Sequence, residues 1–375
     1  RQYVNLPFEV TSGRGSLKTW LDVVKGSLVG AQADVSLSDV DVRLAQDLAP
    51  LDIQSLQGRL MAKRTPAGSD TDTTLAFEGL TFTTKDGQSW PRGDVRVLLR
   101  GSPRQPTGGE LHAQRIDLSV LSLVATRLPL AANIRSLLAQ IKPQGHADAF
   151  VATWDGPLDA LKGWRMRAST QNLVLSPNPV PLAANTQDQT LGRPGIQGGT
   201  VTFDATHEGG EGTLEVVKGS LTFPGVFEQP KVDLQQLKAQ LQWTVRASSV
   251  VGEPPEILVK AKSVQFANAD AQGTFDGAWR SGPGTGFGAG KRYPGAIEVN
   301  GKLTRGRAAT VHRYLPLGLG PDVRRYVANA FSEGHIKSAT YTVKGDMWAF
   351  PYRNQNGTFR LVSQVEGVRM NIAPD

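Results

Sequence analysis

A change of apolar period within the stretch 313–352 constrains the fold more than any other feature of the chain. The first part repeats apolar residues at the spacing of one helical face, and these residues are Val323, Tyr326, Val327, Ala330 and Phe331. From residue 339 onward apolar and polar residues alternate, which is typical of a strand with one buried face. The stretch therefore predicts an amphipathic helix that ends near Gly334 and leads into a strand.

The same sequence of features occurs earlier in the chain: an apolar helical face, a glycine that ends the helix, and an alternating strand. The two helix-ending glycines, Gly145 and Gly334, are 189 residues apart (334 − 145). At that spacing the earlier helical stripe consists of Ile134, Leu137, Leu138 and Ile141. The matched strand positions are Phe150, Ala152 and Trp154 in the earlier stretch and Ala339, Tyr341 and Val343 in the later one. A shorter match links Val23–Leu28 to Val216–Leu221, because both read VVKGSL. A pattern repeated at one spacing predicts two tandem copies of one module.

The repeat divides the chain into two copies and a connection. The first copy covers residues 1–175 with a helical unit at 118–142, and the second covers residues 199–375 with a helical unit at 308–333. Residues 176–198 are rich in Pro, Asn, Gln and Gly, so we interpret them as a linker or long loop. The helical units are expected to pack on the sheet or to cover one of its edges. Six of their side chains are then predicted to be buried: Ile134, Leu137, Leu138, Val323, Tyr326 and Val327.

Outside the helical units the chain alternates apolar and polar residues in many short segments, and its 41 Gly and 23 Pro suit the turns between them. The formal net charge is +7, but the Lys and Arg residues are scattered over polar strand positions. We therefore interpret them as a solvated face and expect no nucleic-acid partner. The sequence predicts a mainly β fold of antiparallel strands with one short amphipathic helical insertion in each copy.

The sequence contains no residue pattern typical of a catalytic, metal or nucleotide site. The five histidines form no HxxxH pair, the chain has no Cys, and no GxSxG motif occurs. The glycine-rich segment 286–291 lacks the Ser or Thr that a phosphate loop requires after its lysine, and Pro294 follows soon after. We therefore predict that the chain is not an enzyme and uses no cofactor. No stretch has the roughly 18 apolar residues of a membrane span, so any anchor is expected outside this chain.

Several short motifs carry a resemblance to a known family. They include RRYV within the later helix, EGHI at Glu333–Ile336, VKGD at Val343–Asp346 with Phe350–Pro351 after it, and Trp20–Asp22 ahead of a strand at 37–44. Together they resemble the periplasmic part of YhdP-type proteins of the AsmA-like family. The resemblance covers nearly the whole chain, and its most specific motif lies near residues 313–351.

The resemblance implies an inner-membrane-anchored protein of Gram-negative bacteria whose periplasmic part is an elongated, curled antiparallel sheet. Such a sheet is an open trough with an apolar interior. The family is similar to eukaryotic bridge-like lipid transfer proteins and is implicated in moving phospholipid toward the outer membrane. The resemblance thus implies a phospholipid partner, a periplasmic location and a membrane tether outside this chain. It also allows periplasmic or membrane protein partners.

Alternation places every second side chain on one face of a sheet, so the inward positions of the trough can be named. We predict that the first copy lines an apolar groove with Phe150, Ala152 and Trp154. The second copy is predicted to line it with Val201, Phe203, Leu241, Trp243, Val259, Ile297, Val299, Ala339, Tyr341 and Val343. Acyl chains would be stabilised in such a groove by ~0.8 kcal/mol per buried CH₂ group.

Two alternatives fit the same residues. The first is a pair of packed β-sandwiches, in which the predicted groove residues would be ordinary core. The second concerns function: a periplasmic scaffold that offers sheet edges to outer-membrane proteins during their assembly. A polysaccharide-binding β protein is disfavoured because aromatic residues make up only 7% of the chain.

Overall fold

Alternating segments of the sequence form sixteen strands of one antiparallel sheet, and the strand order in the sheet follows the chain. The computed structural model describes residues 9–43, 48–67, 70–102, 105–128, 132–157, 160–179, 192–248, 250, 252–288 and 291–371. The first and last strands of the sheet are not paired with each other, so the sheet is open. The predicted mainly β, open antiparallel architecture is confirmed.

The first eight strands are β1 (Glu9–Val24), β2 (Ser27–Arg43), β3 (Leu51–Ala67), β4 (Asp70–Thr84), β5 (Ser89–Ser102), β6 (Gln105–Asp117), β7 (Gln144–Asp155) and β8 (Gly163–Leu175). The last eight are β11 (Gly195–Thr206), β12 (Gly209–Thr222), β13 (Lys231–Arg246), β14 (Glu256–Ala267), β15 (Ala271–Arg280), β16 (Ala296–Arg307), β17 (Phe331–Asp346) and β18 (Gly357–Met370). Two two-residue strands, β9 (Asn178–Pro179) and β10 (Gly192–Arg193), form a separate pair among the described residues.

The chain separates into two units, Arg1–Gln171 and Asn172–Asp375. In unit 1 the helical insertion between β6 and β7 contains α1 (Leu118–Val124), a 3-10 turn and α2 (Ala132–Ile141). In unit 2 the insertion between β16 and β17 contains a 3-10 segment, Ala308–Tyr314, and α3 (Pro321–Ala330). Each unit, taken by itself, therefore carries its insertion between its sixth and seventh large strands.

Local sequence explains where the helices begin and end. The Asp117 carboxylate accepts hydrogen bonds from the N–H groups of Ser119 (2.9 Å) and Val120 (3.0 Å), so α1 begins with a side-chain cap. Pro321 opens α3, where the N–H that proline lacks has no helical partner. The predicted helical unit at 308–333 was too long at its end, because β17 begins at Phe331 and continues through Gly334.

The prediction that the helical stripes are buried was wrong for most of its residues. Four side chains are exposed: Ile134 (41%), Leu137 (48%), Val323 (49%) and Tyr326 (43%), whereas Leu138 and Val327 are half-buried. The buried insertion residues are instead Val120, Val124 and Ala125 in unit 1 and Ala308 and Ala330 in unit 2. The apolar period identified the apolar side of each helix, but other residues attach the insertion to the sheet.

The alternative of packed β-sandwiches is also wrong. Within the described parts of the chain the only second sheet is the two-residue pair of β9 and β10. The main hydrophobic cluster of unit 2 is built from one sheet, with Val216, Leu234, Leu237, Ala239 and Val264 at its centre. Among the described residues no helix is long and apolar enough to cross a membrane.

Adjacent residues of β12 provide a direct test of this one-sided burial. Val216 is 0% exposed and Val217 is 62% exposed. We expect Val216→Asp to destabilise unit 2 by several kcal/mol, because the carboxylate would be buried without a partner. Val217→Asp should change the free energy of unfolding by no more than about 0.5 kcal/mol. Denaturant unfolding of both variants measures the difference, and similar losses in the two would contradict the assignment of faces.

Candidate functional site

The strand register of unit 2 produces rows of apolar side chains that run across all eight of its large strands. Residues directly paired across antiparallel strands project on the same face of a sheet. One such row is Phe203, Gly212, Leu241, Ala261, Gly277, Val299, Val343 and Phe359. A second is Ala205, Gly210, Trp243, Val259, Trp279, Ile297, Gly345 and Gly357. Neither row contains a polar side chain, and we call this surface the apolar face of unit 2.

The opposite face of the same strands is polar. The row between the two apolar rows is Asp204, Glu211, Gln242, Lys260, Ala278, Glu298, Lys344 and Thr358. Cross-strand ion pairs occur here, such as Lys344 with Glu298 at 3.2 Å. Because both partners are largely exposed, each such pair contributes little to stability. The sheet of unit 2 thus has one solvated face and one apolar face.

Unit 1 repeats this division. One row on its apolar face is Thr19, Ala33, Leu60, Phe77, Val95, Ala113 and Phe150. A second is Leu21, Ala31, Ala62, Leu75, Val97, Leu111 and Ala152. The opposite face contains the ion pair of Arg59 with Asp34, at 2.6 Å.

The structure brings together the predicted groove residues within each unit. The register places Phe150, Ala152 and Trp154 on the apolar face of unit 1. It places the ten predicted residues of the second copy on the apolar face of unit 2. Twelve of the thirteen are half-buried and Ala339 is buried. Their role as the lining of a lipid groove remains a prediction.

Three aromatic residues of these faces lie over glycines on the neighbouring strand. Trp154 is paired with Gly109, Trp243 with Gly210 and Tyr341 with Gly301. A Cβ atom added at Gly210 would come within 2.6 Å of the Trp243 ring, and one added at either of the other two glycines would overlap its partner ring. The missing side chain therefore lets each ring lie across the next strand instead of standing upright on the sheet.

These glycines were missed from the sequence. Each occupies an inward position of the alternating pattern, where a glycine reads as a gap in the apolar face or as a turn. Their role is visible only when the register pairs them with an aromatic residue on the adjacent strand. The sequence signal for such a pair is a glycine at an inward position of one strand together with an aromatic residue at an inward position of the neighbouring strand.

The insertion of unit 1 covers one end of its apolar face. We call the strand ends that adjoin the insertion of a unit its insertion end, and the opposite strand ends its far end. Val120 and Val124 of α1 form one buried cluster with Val40 and Val42 of β2 and with Leu51 and Ile53 of β3. Because α1 follows β6, the insertion reaches past the ends of β5 and β4 to the ends of β3 and β2.

The insertion of unit 2 makes the same crossing with polar contacts. The N–H of Leu317 donates to the carbonyl of Val226, in the connection between β12 and β13, at 2.9 Å. Midway, Arg313 contacts the buried carboxylate of Asp270 at 2.5 Å, and the Tyr314 hydroxyl donates to the same carboxylate at 2.9 Å. The insertion end of unit 2 is therefore also covered, here by a network around one buried carboxylate.

Two tyrosine hydroxyls are held in their protonated form by their surroundings. Burial raises the pKa of Tyr341 to about 12. Burial, followed by the hydrogen bond to the Asp270 carboxylate, raises the pKa of Tyr314 to about 12. For Tyr341 the cause is desolvation, which agrees with its position on the apolar face.

Within the described residues no group of three or more His, Cys, Asp or Glu side chains is arranged to hold a metal ion. The described residues offer two apolar faces, and a ligand on either face would be held mainly through buried apolar area.

Comparison with known proteins decides the family. The family model described as YhdP protein matches residues 2–375. The chain belongs to the YhdP family. A curated relative, the "Intermembrane phospholipid transporter YhdP" of Escherichia coli (strain K12), is 24% identical over 381 aligned positions. The match covers 96% of this chain and 26% of that protein, so the chain spans about a quarter of the length of the relative. No solved structure matches the chain.

The glycine–aromatic pairing in this YhdP-family chain can be tested at Gly301. We expect Gly301→Ala to lower the free energy of unfolding by about 1–3 kcal/mol, because the methyl group forces the Tyr341 ring out of its position. The same substitution in a Tyr341→Val background should cost much less, and a double-mutant cycle measures the coupling. Gly93→Ala is the control, since the nearest atom to its added Cβ would be 3.9 Å away. Equal losses at Gly301 in both backgrounds would refute the pairing.

The raised tyrosine pKa values predict a specific behaviour at high pH. An unfolded chain releases its phenol protons near pH 10, whereas the folded chain retains those of Tyr341 and Tyr314 up to about pH 12. The stability that these two groups contribute is thus fully present below pH 10 and is lost as the pH rises toward 12. In an ultraviolet absorbance titration, Tyr341→Phe should remove one late-ionising phenol. Loss of an early-ionising phenol instead would show that Tyr341 is solvated.

Proposed function

We propose that this chain is a periplasmic segment of a bridge-like lipid transfer protein whose apolar faces hold phospholipid acyl chains between the inner and outer membranes. The observation that carries the proposal is the pair of uninterrupted apolar rows across the eight large strands of unit 2. Membership of the YhdP family and the transporter named for the E. coli relative agree with it. The proposal includes tethering to the inner membrane through parts of the protein outside this chain, and no enzymatic step.

Half-burial of the lining residues supports a site for mobile acyl chains. A side chain of an ordinary core is nearly inaccessible, whereas twelve of the thirteen predicted lining residues retain part of their exposure. An acyl chain laid on this surface would remove further apolar area from water and would be stabilised by ~0.8 kcal/mol per CH₂ group. Because burial is non-directional, such a surface holds a chain without fixing it at one position.

Adjacent residues of β17 allow the proposal to be tested with a matched control. Tyr341 lies on the apolar face, paired with Gly301 and Leu361, whereas Thr342 lies on the polar face and donates to Asn300 at 3.0 Å. A photo-crosslinking amino acid at position 341 should capture phospholipid in cells, and the same amino acid at position 342 should not. Mass spectrometry of the crosslinked products identifies the captured molecule.

The outcomes separate the proposal from its rivals. Phospholipid captured only at position 341, together with phospholipid extracted from the purified chain, supports the lipid groove. Equal capture of lipid from both positions would refute the assignment of the apolar face as the lipid route. Capture of outer-membrane polypeptides without lipid would favour a scaffold that assists outer-membrane protein assembly.

A further inference from the structure

Tryptophan is concentrated at the far end of both units. The chain has seven tryptophans, and six of them lie in the far-end part of a strand or in a connection at that end: Trp20, Trp154, Trp164, Trp243, Trp279 and Trp348. The exception is Trp90, near the start of β5, which lies at the insertion end of unit 1 and stacks on Phe82. Such a distribution is not required by strand formation, since strands accept tryptophan along their whole length.

The strand register places Trp154, Trp243 and Trp279 on the apolar faces. Trp154 is one residue from the end of β7, and Trp243 and Trp279 share a cross-strand row of unit 2 through Val259. The connections at this end of unit 2 add further aromatic residues, with Tyr293 stacked on Trp279 at 6.2 Å between ring centroids. We call Trp154 in unit 1 and Trp243, Trp279 and Tyr293 in unit 2 the tryptophan band.

The insertion end of each apolar face has the opposite character. In unit 1 this end is covered by α1, which packs on Val40, Val42, Leu51 and Ile53. In unit 2 the most buried large aliphatic side chains of this face lie toward the insertion end of their strands: Val216, Leu234, Leu237 and Val264. Toward the insertion end each apolar face is therefore more deeply buried, whereas toward the far end its large side chains are half-buried and include Trp154, Trp243 and Trp279.

This gradient matches the chemistry of a phospholipid. Tryptophan favours the boundary where hydrocarbon meets the ester and headgroup layer, because its ring is apolar and its N–H needs a hydrogen-bond partner. The acyl chains of one bilayer leaflet occupy roughly 15 Å, half of the hydrocarbon core. A strand advances about 3.3 Å per residue, so this length corresponds to about five residues. An acyl chain that starts at Trp243 would thus extend to about Ala239 on the same face.

Buried polar atoms without a hydrogen-bond partner in the described part of the chain add a second observation. Nε1 of Trp154 and Oγ1 of Thr73 are two such atoms. They lie in one cross-strand row at the far end of unit 1, which runs Thr73, Leu99, Gly109 and Trp154. A carbonyl or phosphate oxygen is the group that both could bind as donors. Nε1 of Trp90 also lacks a hydrogen-bond partner. The other residues in its row, Phe82 and Leu56, are apolar, so this row has no second polar atom.

We propose that phospholipids lie on each apolar face in one orientation, with the glycerol esters and headgroup at the tryptophan band and the acyl chains directed toward the insertion end. This proposal rests on the lipid-binding function proposed above. It assigns the far-end tryptophans the task of setting the depth of the ester layer, and it places the acyl chains on the part of each face between the tryptophan band and the insertion.

The first experiment uses the chain without substitution. The purified chain is loaded with phosphatidylcholine that carries a nitroxide quencher either on the headgroup or near the methyl end of one acyl chain. Because six of the seven tryptophans lie at the far end, the headgroup probe should quench total tryptophan emission about twofold more than the chain-end probe. Equal quenching, or stronger quenching by the chain-end probe, would overturn the orientation.

The second experiment uses two native tryptophans of unit 1 as depth markers. In one variant Trp154 is the sole tryptophan and in the other Trp90 is, with the remaining tryptophans replaced by Phe. The headgroup probe should quench the Trp154 variant more strongly, and the chain-end probe should quench the Trp90 variant more strongly. The same order of quenching in both variants would overturn the orientation.

Lipid content, measured by mass spectrometry of the same samples, separates the two proposals. A chain that carries lipid yet shows no difference between the probes contradicts the orientation and leaves lipid binding intact. A folded, unsubstituted chain that carries no lipid and shows no quenching contradicts the proposed function itself. Circular dichroism of each variant establishes that it is folded before quenching is compared.

Discussion

The structure depends on one constraint: within each unit a single sheet has to shield an apolar face without a second sheet to pack against it. Strict alternation creates this face, because a strand sends successive side chains to opposite sides. The polar side is stable in water, with exposed cross-strand pairs such as Arg59 with Asp34. The apolar side is shielded only in part, by neighbouring side chains and by one insertion at one end of the strands. Its remaining apolar area is the property that a lipid-binding surface requires.

Glycine and aromatic residues together determine how much room remains above that face. A ring that stands upright on the sheet would occupy the space that a ligand needs. A ring that lies across a glycine covers the backbone and projects less far from the sheet. Trp154 over Gly109 and Tyr341 over Gly301 follow this arrangement in different units. The glycines thus do more than weaken the strands, as their low strand propensity alone would indicate. They allow a large apolar area on a face that stays accessible.

The sequence was sufficient for the class of fold and for the phase of the strands. Period two identifies which residues share a face, and the predicted inward positions of β7 and β17 do lie on the apolar faces. The sequence was insufficient where tertiary contacts decide which residues of a helix are buried. The stripe of α3 is apolar, yet Val323 is 49% exposed, because periodicity does not name the surface on which a helix packs. The seven residues of α1, which supply the packing in unit 1, are too few for a clear helical period.

The VVKGSL match shows a second limit of reading the sequence alone. In unit 1 Lys25 and Gly26 form the turn between β1 and β2, with φ values of 51° and 76°. In unit 2 the matching Lys218 and Gly219 lie inside β12, where the pairing with β11 has a register irregularity. Lys218 has a φ of 51°, so the same letters favour a left-handed backbone residue in both places. Local sequence thus sets the local backbone, but whether it becomes a turn or a bulge depends on whether the flanking residues have strands to pair with.

A surface of this kind is better suited to movement of a ligand than to tight retention. A deep pocket stabilises one position, and leaving it requires all of that stabilisation to be lost. The rows of unit 2 instead present glycine or an apolar side chain on every strand, at spacings of about 4.8 Å across the sheet. An acyl chain that moved from one strand to the next, as the proposed function requires, would exchange one set of apolar contacts for another, so each step would cost less than leaving the surface. In the proposed orientation the covered insertion end and the tryptophan band would restrain a lipid only along the strands, which leaves displacement across the strands as the direction with the least resistance.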